Sequence, residues 1–151
     1  MSSAFAHSGI TKFSAPNLHS IWNLYCTFIE CLNLEEVELP SLRNANTQQS
    51  YGLYRTFYNC PRLRRVDFGE ISAFNSSSST EEAFYGCSSL EVIDCSKVSV
   101  PLPCNDFSAM FANTNNTFKV VVPDALYSTW LATGDWASGQ SHIVKASEYT
   151  P

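Results

Sequence analysis

Cysteine is the residue of this chain with the widest chemical reach, since a thiolate can attack, bind metal or pair. Six are present: Cys26, Cys31, Cys60, Cys87, Cys95 and Cys104. An even count suits disulfides, but 151 residues that are 44% apolar can build a core without staples. Zinc is poorly served, because no C-x-x-C pair exists and His7, His19 and His142 lie far apart. The chain has no G-x-S-x-G, no H-E-x-x-H and no glycine-rich phosphate loop. The residue types therefore predict a protein that is not an enzyme and that uses no cofactor and no metal.

Composition narrows the partners. Charged residues make up 15%, against about 25% in an average domain. With 44% apolar content the chain is not of the disordered class. A formal charge of −5 supplies no basic patch for phosphate contacts, so nucleic acid is not expected. No apolar run approaches the ~20 residues of a membrane span. The first twenty residues lack a basic start and a long apolar stretch, so no signal peptide is expected in this chain.

The spacing of the cysteines says more than their number. Cys31, Cys60 and Cys87 are 29 and 27 residues apart, which suggests a repeat. Aligned on them, residues 27–39 read TFIECLNLEEVEL, 56–68 read TFYNCPRLRRVDF and 83–95 read AFYGCSSLEVIDC. A fourth copy, 110–122, reads MFANTNNTFKVVV, with Thr114 and Thr117 in place of the cysteine and the leucine. A shortened copy, 4–15, reads AFAHSGITKFSA, with one residue deleted before Ile10. The valine-type anchors are Phe13, Val37, Val66, Ile93 and Val120. Each unit has one short apolar stripe that it cannot bury alone, so stacking the units builds the core. The Val-x-Leu alternation predicts a short strand with one face inward. The phenylalanine three residues before each cysteine should plug the core from a turn. The thiols of Cys31, Cys60 and Cys87 are each expected to be a small, reduced, buried apolar group at that turn, and Cys95, inward on a strand, is expected to be buried and reduced as well. Cys26 and Cys104 lie outside the motif.

A-F-x-x-C ahead of L-x-x-V-x-L at this spacing resembles the BspA-like leucine-rich repeats, most closely at residues 83–90. The likeness covers about residues 4–122. It implies an α/β fold: a right-handed leucine-rich-repeat solenoid with a parallel β-sheet face. It also implies a non-catalytic protein of bacterial or protist surfaces. Residues 121–136, VVPDALYSTWLATGDW, resemble the caps that follow such repeats in proteins of gut bacteria and their phages. The expected organisation is a single domain over residues 1–151, with a C-terminal helical cap at about 123–149. Asp124 should cap the helix, Trp130 and Leu131 should lie on its apolar face, and Gly134 should end it. Nothing caps the opening unit, so the sequence reads as cut from a longer solenoid, or else as a first unit that caps itself.

Strand alternation also names the outward positions. One column reads Lys12, Glu36, Arg65, Val92, Lys119; the other reads Ser14, Glu38, Asp67, Asp94, Val121. Neighbouring acids in the second column should repel, which points to a binding face of Glu36, Glu38, Arg65, Asp67 and Asp94. Arg62, Arg64 and Arg65 are expected to pair with Glu35, Glu36 and Glu38 one unit away. The rival surface carries Tyr51, Tyr54, Tyr58 and Tyr85. Residues 75–80, NSSSST, read as a surface loop. The expected function is binding or adhesion toward a protein or glycan partner. The alternative is a spacer or assembly part of a larger cell-surface or phage tail-fibre protein. The expected location is a cell surface, the exterior or a virion.

Overall fold

The computed structural model describes residues 2–45, 52–74 and 79–151. Tyr51 and the greater part of the NSSSST stretch, residues 75–78, lie outside the described residues. The strands are β1 (Lys12–Ser14), β2 (Ser20–Ile21), β3 (Glu36–Glu38), β4 (Asn44–Ala45), β5 (Arg65–Asp67), β6 (Ala73–Phe74), β7 (Val92–Asp94), β8 (Lys119–Val122) and β9 (Ile143–Lys145). Among the described residues, two short α-helices, α1 (Phe107–Met110) and α2 (Tyr127–Leu131), and three 3-10 turns complete the α/β fold.

Six strands form one parallel sheet in the order β1-β3-β5-β7-β8-β9. Its register is the register of the sequence repeat. Phe13 pairs with Val37, Val37 with Val66, Val66 with Ile93, and Ile93 with Val120. Three residues are too few to hold a strand by themselves; each is held by the same strand in the units beside it. Behind the sheet, equivalent phenylalanines stack face to face. Phe5, Phe28, Phe57, Phe84 and Phe111 follow one another at centroid spacings of 5.5, 5.5, 5.2 and 5.4 Å. Leu34, Leu63 and Leu90 belong to the same core and are fully buried.

The turns carry a backbone ladder of their own. Cys26, Phe28 and Glu30 donate their N–H groups to Tyr54, Thr56 and Tyr58 of the next unit at 2.8–3.0 Å. Arg55, Phe57 and Asn59 do the same to Glu81, Ala83 and Tyr85. To aim successive amides this way, each unit but the fourth enters the left-handed region twice, and the fourth does so once. One column of positive φ is Ser3, Cys26, Arg55 and Glu82; the other is His7, Glu30, Asn59, Gly86 and Asn113. Only the third unit places glycine there. A Cβ on Gly86 would sit 3.3 Å from the Asn59 backbone.

A second parallel sheet, β2-β4-β6, was not legible in the sequence. Its strands are two residues long, too short for any period to register. It stops where the next unit offers Pro101 and Pro103, which lack the N–H a ladder needs.

Beside Thr117, which stands at the leucine position, the next residue, Phe118, turns inward and is 1% exposed. Two expectations for the C-terminal half need correction. Asp124 does not cap a helix: Pro123 stands at the cap position with no side-chain hydrogen bond. The Asp124 carboxylate instead accepts from the Ser147 N–H (3.1 Å) and hydroxyl, tying the chain end to the cap. Gly134 does not end α2, which stops at Leu131 with Ala132 as its C-cap. At φ 55°, Gly134 lets the following loop pass the Cys104 carbonyl, which a Cβ would overlap. The cap is also more than a helix. Trp130 and Trp136 are buried at 5.7 Å, edge to face, and β9 extends the sheet by pairing Ile143 with Val120.

Leu63→Ala and Leu90→Ala are each expected to cost about 2–5 kcal/mol in urea unfolding, since both are buried with units on either side. Leu18→Ala, half-buried in the first unit, should cost less; equal midpoint shifts would contradict the stacking. Gly86→Ala should cost about 1–2 kcal/mol for its left-handed backbone. An unchanged melting temperature would show that the turn ladder tolerates a side chain there.

Candidate functional site

The outward residues of β3, β5 and β7 stand on a rigid ladder. Their register is Lys12–Glu36–Arg65–Val92–Lys119 in one column and Ser14–Glu38–Asp67–Asp94–Val121 in the other, as strand alternation predicts. The structure thus brings Glu36, Glu38, Arg65, Asp67 and Asp94 onto one face. Val92 and Val121 depart from the expectation: they are 4% and 3% exposed. Val92 lies between Arg65 and Lys119, whose long stems flank it, and Val121 is covered by Val144 of the added strand.

The acids of this face are engaged within the chain. Lys12 Nζ bridges Glu36 at 2.8 Å and Glu38 at 3.0 Å. Those two hydrogen bonds push the Lys12 pKa up, and the Lys12 bond draws Glu38 below its usual value. Asp67 accepts the Gly69 N–H at 2.8 Å. Asp94 accepts from the Ser96 N–H and hydroxyl and pairs with Arg65 at 2.5 Å. Repulsion along the second column is offset by these partners, so the acids have structural work as well as exposure. Each pair is solvated and contributes modestly on its own.

The arginine cluster pairs in the opposite direction to the one expected. Arg64 holds Glu91 with two hydrogen bonds, at 3.0 and 3.1 Å, which raise its pKa, and Arg65 holds Asp94. Both reach forward to the following unit, while Glu36 and Glu38 are taken by Lys12 of the preceding one. Spacing fixes which residues lie one rung apart, but not toward which neighbour a long side chain leans.

The rival tyrosine surface is ordered too. Tyr58 stacks on Tyr85 at 4.8 Å, and Tyr54 on Tyr25 at 5.6 Å. Arg55 lies over both Tyr54 and Tyr58, at 5.0 and 5.2 Å, and is bound to Glu82 at 2.6 Å. The sequence reading missed Tyr25, although it precedes Tyr54 by the same 29 residues that separate the cysteines. It also passed over Trp22 and Leu32, which are 79% and 54% exposed.

The cysteines form a ladder rather than a reactive centre. Cys31, Cys60 and Cys87 donate their S–H groups to the carbonyls of Phe5, Phe28 and Phe57, at 2.9, 3.0 and 3.1 Å. Burial pushes Cys60 and Cys104 up to about 12, and raises Cys26, Cys87 and Cys95 as well. All six thiols are free and buried. Among the described residues, no group of three His, Cys, Asp or Glu could hold a metal ion, and no helix is long and apolar enough to cross a membrane.

No protein-family model matches the chain, and no curated protein matches it.

Thiolate is the attacking form, so thiols held protonated by burial should react slowly. At pH 8 the folded protein is expected to resist alkylation at Cys60, Cys87, Cys95 and Cys104, and all six cysteines should label after denaturation without reductant. Mass spectrometry showing three native disulfides would overturn the ladder.

Proposed function

We propose that the chain is a right-handed leucine-rich-repeat solenoid of the BspA-like kind and acts as a non-catalytic binding or adhesion module. Its partner is a protein or a glycan, met at a cell surface, outside the cell or on a virion. The observation that carries this reading is the sheet register. Equivalent outward residues recur rung after rung, and cross-strand partners hold Glu36, Glu38, Arg65 and Asp94 in place before any ligand arrives. Side chains already ordered lose little entropy on binding, which suits an extended contact surface. The repeat motif and the cap-like C-terminal segment support the family reading.

The experiment is a screen of the chain against immobilised host-surface proteins and an array of glycans, followed by retesting with Asp67→Asn plus Asp94→Asn. Asparagine retains an oxygen for the Gly69 and Ser96 amides while removing charge, so the fold should persist. Weaker binding at low salt and a flatter salt dependence are expected of the double variant. Binding equal to the parent would remove the sheet face, and no retained partner in either screen would remove the binding reading itself.

A further inference from the structure

We infer that the chain holds a second binding site, separate from the sheet face, that takes one neutral sugar ring. It is a cavity of about 220 Å³ where the fourth unit meets the C-terminal segment. Phe111 and Phe118 are buried beneath it, and Phe107 and His142 are half-buried beside it. These rings pack on one another: Phe111–Phe118 at 4.7 Å, Phe107–Phe111 at 4.7 Å and Phe118–His142 at 4.2 Å. Ser108, Thr114 and Asn116 supply polar groups to the same cavity.

The donors and acceptors suit hydroxyl groups. In the neutral ring, His142 Nδ1–H donates to the Phe118 carbonyl at 3.0 Å, which leaves Nε2 as an acceptor. Thr114 donates to the Phe111 carbonyl at 2.7 Å and keeps its lone pairs. The Ser108 hydroxyl and the Asn116 amide are not engaged by other described residues. No charged side chain lines the cavity to pair with an anion or a cation, and a charge taken out of water without a partner is costly. The ligand is thus uncharged, apolar on one face and rich in hydrogen-bonding groups along its edge. A pyranose has that character, with polarised C–H bonds to lay on the half-buried ring of Phe107 or His142, since stacking on Phe84, on each other and on His142 occupies Phe111 and Phe118. The volume lies below the roughly 300 Å³ where drug-sized sites begin, which fits one ring and not an oligosaccharide.

The site is also built in advance. The Phe107 N–H donates to Asp135 at 2.8 Å, and Asp106 caps α1 through the Ala109 N–H at 2.9 Å. Gly139 makes room for the Phe107 ring, which a Cβ there would overlap.

The test is a titration of the full chain with the methyl glycosides of glucose, galactose, mannose and N-acetylglucosamine, with benzyl alcohol as an apolar control. The Asn116 side-chain amide and the His142 ring are followed by NMR. At least one glycoside is expected to shift both signals with a Kd on the order of 1 mM, the affinity that low per-atom efficiency gives a ligand of this size. Ser108→Ala and Asn116→Ala, both at exposed positions, should keep the fold by circular dichroism and each weaken that glycoside about three- to tenfold, the worth of one hydrogen bond. No glycoside shift up to about 20 mM would overturn the site. So would a response to benzyl alcohol alone, or variants that bind the glycoside like the parent. A failed titration leaves the sheet face untouched, since none of these residues lies on β3, β5 or β7.

Discussion

The structure depends on one spacing. Parallel strands lie about 4.8 Å apart, and whatever rides on them must repeat at a similar step. A phenylalanine ring stacked near that step sits within contact of the rings before and after it, and the column runs unbroken from Phe5 to Phe111. The central units therefore offer a flat ring, a small group and a branched aliphatic at the same three points. Cysteine meets the second need well: it is small enough for the turn, and its S–H satisfies the carbonyl of the phenylalanine one unit earlier. Where Thr114 replaces it, the hydroxyl bonds the Phe111 carbonyl of its own unit instead. The column thus keeps a donor at that turn without keeping the thiol.

The same spacing governs the charges. Side chains one rung apart are close enough to pair, so each carboxylate of the face finds a cation, an amide or a hydroxyl nearby. The chain carries few charged residues, and a large part of them are engaged across units: Lys12 with Glu36 and Glu38, Arg43 with Glu70, Arg55 with Glu82, Arg64 with Glu91, Arg65 with Asp94. Surface pairs of this kind add little stability individually. Their greater effect is to hold long side chains still, which turns a solvated face into a patterned one. On the turns, Arg55 does the same for Tyr54 and Tyr58.

A stack of units ends in an exposed strand and an exposed ring. At the C-terminal end β9 covers the strand, while Trp130 and Trp136 fill the core behind it, with the Trp136 indole N–H donating to the Leu102 carbonyl at 2.8 Å. The cavity proposed to hold a sugar lies at this junction, where repeat and cap geometries differ and packing leaves a gap. Phe118 borders it because the fourth unit moves its buried side chain by one residue.

The sequence by itself determined the phase of the repeat, the anchors from Phe13 to Val120, the buried phenylalanines and cysteines, and the two outward columns. All of these follow from local rules: a strand alternates its faces, and equal spacing along the chain becomes equal position in the stack. The five residues expected on one face were legible for that reason, and they do lie together. The tertiary structure alone decided which neighbour each charge would choose, because Arg64 and Arg65 have acids on both sides at similar spacing. It decided the second sheet, whose two-residue strands carry no period, and the paired left-handed columns, where Glu, Asn, Arg and Cys stand at positions that would suggest glycine. It also gave Asp124 to Ser147 rather than to a helix end, and turned residues 143–145 into a strand. These outcomes rest on contacts between segments whose separation in sequence carries no signal, so only packing could settle them.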